Sequence, residues 1–171
     1  MLTSYQLNRI AHIRWYWLAL LTLGVLFMAV ALYYQYVLEE LPCVLCIQAR
    51  IWVSAITVVA AFGLLSGSRR LTIIAHVLTV ICSVGLLERS YQLLGTERGF
   101  IFGDCGFDPG LPSWFALDEW LPTLFRVETS CGYTPELLLG ITMAEGLIVL
   151  SAALVLISLT LTAVILVRQR N

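Results

Sequence analysis

The chain has 171 residues, 60% of them hydrophobic and 12% charged, about half the charged share of roughly 25% found in ordinary globular domains. A soluble domain of this size needs more polar surface than that. The net charge of −1 offers no basic face for nucleic acid.

The composition instead fits a membrane protein, and four stretches reach the ~20 apolar residues that cross a hydrocarbon core. The first, 15–37, carries no charge. It contains Ala29-Val30-Ala31, which resembles a signal-peptidase site, but the apolar run continues to Leu38, beyond the ~7–15 residues of a signal-peptide core. Trp15, Tyr16 and Trp17 at one end, and Tyr33, Tyr34 and Tyr36 at the other, read as interfacial anchors. The second span, 43–65, carries Arg50 as its one charge. Ser66-Gly67-Ser68-Arg69-Arg70 makes a tight turn into a third span, 71–88. A long loop, 89–137, leads to the fourth span, 138–167. Lipid demands that each span satisfy its own backbone groups, so helices are expected. The predicted fold is an all-α, four-transmembrane-helix bundle forming a single domain over 1–171.

Charge orients it. All ten basic residues are Arg, so the distribution of Arg decides the sidedness. Arg9, Arg14, Arg69, Arg70, Arg168 and Arg170 share one face with no acid. The other face carries Glu39, Glu40 and the long loop, where acids outnumber Arg89, Arg98 and Arg126. The positive-inside rule puts both termini in the cytoplasm and both larger loops outside, in a disulfide-permissive space. Within the long loop, Trp114, Leu117, Leu121, Leu124 and Phe125 recur at helical spacing, and Asp118, Glu119 and two prolines rule out a fifth span. The expectation is a short helix lying in the outer interface, with capping of the bundle by the same aromatics as the rival reading.

Cys43 and Cys46 form a C-x-x-C where the second span opens. Pro42 suits the first turn of a helix, which would place both thiols at the helix start, where the dipole favours thiolate. This pattern fits a redox pair, and also a structural disulfide or half of a zinc site. Arg50 follows Cys46 by one helical turn and shares its face. It suits stabilisation of a thiolate or a hydrogen bond to a carbonyl oxygen of an electron acceptor; the plainer reading is an Arg snorkelling to the headgroups. Gln48 is read as facing the headgroups. Cys105 and Cys131 flank the aromatic part of the loop, each followed by Gly. By themselves they would staple the loop, at typically ~2–4 kcal/mol; beside a second pair facing the same way, thiol–disulfide exchange becomes open to them. Cys82 lies inside the third span and reads as a small buried hydrophobe. Glu145 is expected to pair with Arg50 or Arg89, or to reach the headgroups. His12 and His76 read as inner-interface and core residues, with no metal cluster.

Together, Pro42-Cys43-Val44-Leu45-Cys46-Ile47-Gln48-Ala49-Arg50, four spans, and an outer loop holding Cys105, Cys131 and the Leu117-Asp118-Glu119-Trp120-Leu121-Pro122 stretch resemble the DsbB family of bacterial inner-membrane disulfide bond formation proteins. The resemblance implies an enzyme that reoxidises a DsbA-like periplasmic thioredoxin-fold protein and passes the electrons to a membrane quinone, ubiquinone or menaquinone. By position, it implies that Cys105 forms the mixed disulfide with the partner and that Cys131 is its loop mate. Cys43 would exchange with that loop, Cys46 would face the quinone, and Arg50 would hold a quinone oxygen. The chain departs from the family where a His often follows span three, reading Glu88-Arg89-Ser90-Tyr91-Gln92, and where Pro and Trp often open span four, reading Met143-Ala144-Glu145-Gly146. Two other readings compete: a structural membrane protein with loop-bracing disulfides, and a four-thiolate metal-binding or transport protein. A vitamin K epoxide reductase-like oxidoreductase fits the cysteine layout less well.

Overall fold

The computed structural model describes residues 14–102, 106, 108–138 and 140–170; Arg9, His12 and Cys105 lie outside them. Four long helices are each apolar and long enough to cross a membrane: α1 (Arg14–Val37), α2 (Val44–Leu65), α3 (Arg69–Glu97) and, last in the chain, α6 (Met143–Arg170). They form the expected all-α membrane bundle. Helix α3 packs against both α2 and α6, and α2 packs against α1. Between α1 and α6 a groove of about 650 Å³ remains, lined by Leu23, Leu26, Phe27 and Val30 on one wall and Met143, Gly146 and Leu147 on the other.

The bundle closes tightly where small residues face rings. A Cβ on Gly63 would lie 2.5 Å from the Trp17 ring, and one on Gly85 would lie 2.6 Å from Trp52, so both positions need the missing side chain. Without a hydrophobic driving force in lipid, such van der Waals contact is what joins helices. Trp17 is fully buried, its ring 4.6 Å from that of His76, which Tyr16 stacks on from another side. Trp17 is therefore a core residue and not the interfacial anchor its position suggested, whereas Trp15 is 75% exposed. Most buried hydroxyls on α3 and α6 bond back within their own helices, as Thr79 to Ala75, Ser90 to Leu86 and Thr162 to Ser158; the buried Ser83 hydroxyl on α3 has no hydrogen-bond partner among the described residues.

Helix α3 continues past the expected 88 to Glu97. Its 29 residues span about 44 Å, more than a ~30 Å hydrocarbon core, so one helix is long enough to hold both the apolar run and the polar Glu88, Arg89 and Gln92 that follow it. It ends at Gly99, whose φ of +74° gives the left-handed turn of a Schellman motif: Phe100 N–H bonds Gly95 O at 3.0 Å and Gly99 N–H bonds Thr96 O at 3.3 Å.

The loop that follows holds a 3₁₀ turn (Ser113–Phe115), α4 (Leu117–Trp120) and α5 (Pro122–Phe125) where one short helix was expected. Pro122 disfavours helical geometry in the residue before it, and Leu121 sits at φ −133°, ψ 62° between the two four-residue helices. The apolar stripe is accordingly split: Trp114 and Leu121 are exposed while Phe125 turns into the core. A two-stranded antiparallel hairpin, β1 (Glu136–Leu138) and β2 (Ile141–Thr142), then precedes α6, so the fourth helix begins at Met143 and not at 138. Its start is a capping box: Glu145 N–H bonds Thr142 Oγ1 at 3.3 Å and Thr142 N–H bonds Glu145 Oε2 at 3.1 Å.

Candidate functional site

Helix α2 begins at Val44, two residues later than Pro42 as its first helical residue would require. Cys43 is the capping residue, with extended backbone at φ −82°, ψ 169°. Its Sγ accepts from Cys46 N–H at 3.3 Å, a thiol doing what a serine oxygen does at many helix starts. One helical turn thereby folds the two sulfurs toward each other. Cys43 is 1% exposed and Cys46 half-buried.

Pro42 is kept out of the helix by the long loop. Its carbonyl accepts from Glu128 N–H at 3.0 Å and from Thr129 N–H at 3.3 Å, and Cys43 pairs with Thr129 in a single parallel bridge. This short run of backbone pairing carries Cys131 to the C-x-x-C, where its side chain is hydrogen-bonded with Cys43. Three sulfurs from two loops distant in sequence therefore meet at one point. The Cys43 thiol is pushed above the ordinary cysteine range, chiefly by its hydrogen bond with Cys46 and next by burial, which keeps it protonated in this arrangement.

Arg50 lies on the same face of α2, 6% exposed. Its Nη1 donates to Gln35 Oε1 at 2.6 Å and to Leu124 O at 3.1 Å, and its Nη2 donates to Ala31 O at 3.2 Å. Among the described residues these bonds engage three of the five N–H donors of a guanidinium. The side chain is thus held inside the protein and does not snorkel. Gln35, itself 5% exposed, donates onward from Nε2 to Glu128 Oε2 at 3.3 Å.

Cys46 and Arg50 both line an open cleft of about 590 Å³ at this end of the bundle. Glu40, Tyr34 and Tyr133 stand at its polar side, and Leu93, Phe27, Met143 and Leu147 form its apolar wall. Phe27, Ala31, Met143 and Leu147 line the α1–α6 groove as well, so the cleft runs into an apolar channel between two membrane-spanning helices.

The chain as a whole has counterparts among known proteins. A family model described as "Disulfide bond formation protein DsbB" matches residues 13–161. The chain belongs to the DsbB family. A Disulfide bond formation protein B from Shewanella sp. (strain MR-4) is 32% identical over 144 residues, 83% of this chain and 82% of its own. The same-named protein of Photorhabdus laumondii is 29% identical over 159 residues, 89% and 94% of the two chains. As a DsbB-family chain with four apolar helices, this is a multi-pass membrane protein of disulfide bond formation, an oxidoreductase.

Of the site residues expected from the sequence, the structure of this DsbB-family chain brings Cys43, Cys46, Cys131 and Arg50 together. Cys82 is buried within α3 and is not among them. Glu145 pairs with Arg98, not with Arg50 or Arg89; Arg89 bonds its own helix neighbours Glu88 at 3.1 Å and Gln92 at 3.0 Å. Gln48 donates to Pro109 O at 3.0 Å, so it pins the loop and does not face the headgroups. The sequence reading missed Gln35 and Glu128. Gln35 had a readable signal, being the lone amide in an otherwise apolar span, where a buried polar side chain implies a partner.

Proposed function

We propose that this chain is a thiol:quinone oxidoreductase that reoxidises a soluble DsbA-like, thioredoxin-fold protein. The observation that carries this reading is the seat of Cys131 against Cys43 while Cys46 and Arg50 face the cleft, which gives electrons a path from loop to membrane. In the proposed cycle the loop starts as a Cys105–Cys131 disulfide and α2 as Cys43–Cys46. A partner thiolate attacks Cys105, forming a mixed disulfide and releasing Cys131 as a thiolate. Cys131 attacks Cys43, breaking Cys43–Cys46, and Cys46 leaves as the thiolate beside Arg50. The partner's second thiol resolves its mixed disulfide, so the partner departs oxidised and Cys105 is freed. Cys105 then attacks Cys131, restoring the loop disulfide and releasing Cys43. The balance is two electrons and two protons from the partner, now held as the Cys43/Cys46 dithiol.

The lining of the cleft supports a quinone there, since it joins Cys46 and Arg50 to apolar residues shared with the α1–α6 groove. A flat ring with polar oxygens suits the end near Cys46 and Arg50, and an isoprenoid tail suits the apolar channel between α1 and α6. A quinone held there by Arg50 and the apolar wall would supply an acceptor for the two electrons and two protons of the Cys43/Cys46 dithiol. Arg50 would donate a hydrogen bond to a ring oxygen, and Cys46 would present its sulfur to the ring as Cys43–Cys46 re-forms. The Arg distribution supports placement in a bacterial inner membrane with both termini cytoplasmic and the cysteine loops periplasmic. The exposed Trp114 and Trp120 support a loop that rests in the outer interface.

Quinone reduction by the purified protein, supplied with a reduced thioredoxin-fold partner, tests the reading. Turnover is expected in the native chain. Cys105→Ser should block the partner step while quinone binding, read by titration, stays in place. A native chain that binds quinone yet never oxidises such a partner would leave the disulfides as braces.

A further inference from the structure

We infer that Gln35 is a positioning residue that makes the seating of Cys131 and the fixing of Arg50 a single event. The inference deepens the proposed function and rests on its reading of Arg50. Gln35 is buried in α1 and uses both ends of its amide: Oε1 accepts from Arg50 at 2.6 Å, and Nε2 donates to Glu128 at 3.3 Å. Arg50 in turn grips the same segment at Leu124 O, 3.1 Å away. The stretch 124–131, which ends at Cys131, is therefore tied to the bundle at Leu124, at Glu128, and by the backbone pairing with Pro42. Two of those three ties belong to Arg50 and Gln35. When Cys131 leaves Cys43, Gln35 loses its acceptor on the loop and Arg50 loses a carbonyl. When Cys131 returns, both guanidinium and amide are fixed before Cys46 is released into the cleft.

An amide is needed for this because its two ends differ. A carboxylate in place of the Gln35 amide keeps an acceptor for Arg50 but turns a negative charge toward the Glu128 carboxylate. That substitution separates the two halves of the device.

Two measurements test it. The first reads loop seating without any quinone. In a chain carrying Cys46→Ser, Cys82→Ala and Cys105→Ser, only Cys43 and Cys131 can pair, and diamide, a two-electron thiol oxidant, drives the disulfide. Gln35→Glu is expected to slow that pairing about tenfold, the scale of one charge-assisted contact. Adding Glu128→Gln should return the rate to within about twofold, because the new amide on the loop can donate to the carboxylate introduced in α1. Glu128→Ala alone changes an exposed side chain that the fold does not need, and should slow pairing about threefold. The second measurement is the quinone KM in the chain with all five native cysteines. Gln35→Leu should raise it about tenfold by freeing the guanidinium, and Gln35→Glu should leave it within about twofold of the native value. Pairing at the native rate in Gln35→Glu or in Glu128→Ala would overturn the inference, as would failure of Glu128→Gln to rescue. An Arg50→Met chain with native quinone KM would instead remove Arg50 from the acceptor site, an outcome the pairing assay does not share.

Discussion

The two ends of the bundle are held together differently. At the Arg-rich end, Trp17 fills the space over Gly63 and stacks with His76 and Tyr16, a dense packing of rings. At the cysteine end the helices are joined by hydrogen bonds to a loop. Arg50 reaches Leu124, Gln35 reaches Glu128, Tyr36 donates to Thr123 O at 2.7 Å, and Tyr34 donates to Glu136 O at 3.2 Å. Glu97 accepts from Thr134 and Thr142. Close packing forfeits much of its energy on a small separation, so it makes one rigid state. A set of discrete hydrogen bonds can be broken and remade with water, so it permits a segment to dock and leave. The proposed relay, in which Cys131 moves between two partners, would use the second kind of joint mounted on the first.

Variants at the two ends should therefore fail in different ways. Trp17→Ala should have the largest effect on stability, about 3–5 kcal/mol if the emptied site does not collapse. It should leave the quinone KM of the surviving folded protein unchanged. Thermal inactivation in one detergent, followed by KM measurement below the transition, checks both halves. A shift in KM would mean that the two ends are mechanically coupled and that the division above is wrong.

Arg50 should show the opposite pattern. Arg50→Met is expected to raise the quinone KM roughly 10- to 100-fold, the equivalent of ~1.5–3 kcal/mol for a charge-assisted hydrogen bond. KM for the protein partner should rise less. Arg50→Lys keeps the charge but loses the planar fork that spans Gln35, Leu124 and Ala31, so it should fall nearer to Met than to the native chain. Quinone titrations of the three proteins decide this; an unchanged KM in Arg50→Met takes Arg50 out of the acceptor site.

A smaller effect is expected at the joint between hairpin and α6. Thr142→Ala removes one half of the capping box and a donor to Glu97, at a cost of about 1 kcal/mol. The exposed Arg98–Glu145 pair adds little, as exposed ion pairs do. The melting temperature should fall modestly while both KM values hold. A loss of partner oxidation without a stability change would assign this joint to the moving part of the loop.

The spans were legible in the sequence because lipid imposes one simple demand, a long apolar run. Their ends were less so. The third run stops being apolar at Glu88, but the helix does not stop, since water satisfies the side chains beyond the lipid; the true stop, Arg98-Gly99, was written in glycine. The apolar residues from Leu137 concealed the Thr142-x-x-Glu145 box that starts α6. At the site, Cys43, Cys46 and Arg50 were readable because one helix turn relates them. The approach of Cys131 was not, because it depends on Pro42 O meeting Glu128 and Thr129, a backbone pairing that no local pattern encodes. Trp17 misled because an aromatic at a span end fits the interface and the core alike, and only the facing Gly63 decides between them.

Cys82 sharpens the comparison from the side of least effect. It is the one described cysteine away from the sulfur cluster, 8% exposed, and its neighbours in the core are apolar. What sets it apart from the equally buried Cys43 is alignment: exchange needs a second sulfur within reach, and Cys82 lies within α3, away from the other described sulfurs. Cys82→Ala removes one sulfur from a packed interior, worth about 1 kcal/mol or less by the scale of a single buried methylene. Partner oxidation and quinone KM should both stay at native values, with a small fall in thermal stability as the only change. The measurement is the full turnover assay beside a melt in the same detergent. Loss of turnover in a folded, membrane-inserted Cys82→Ala chain would mean that a thiol in the rigid part of the bundle takes part in the relay, and the separation of packed mount from hydrogen-bonded moving part would no longer hold.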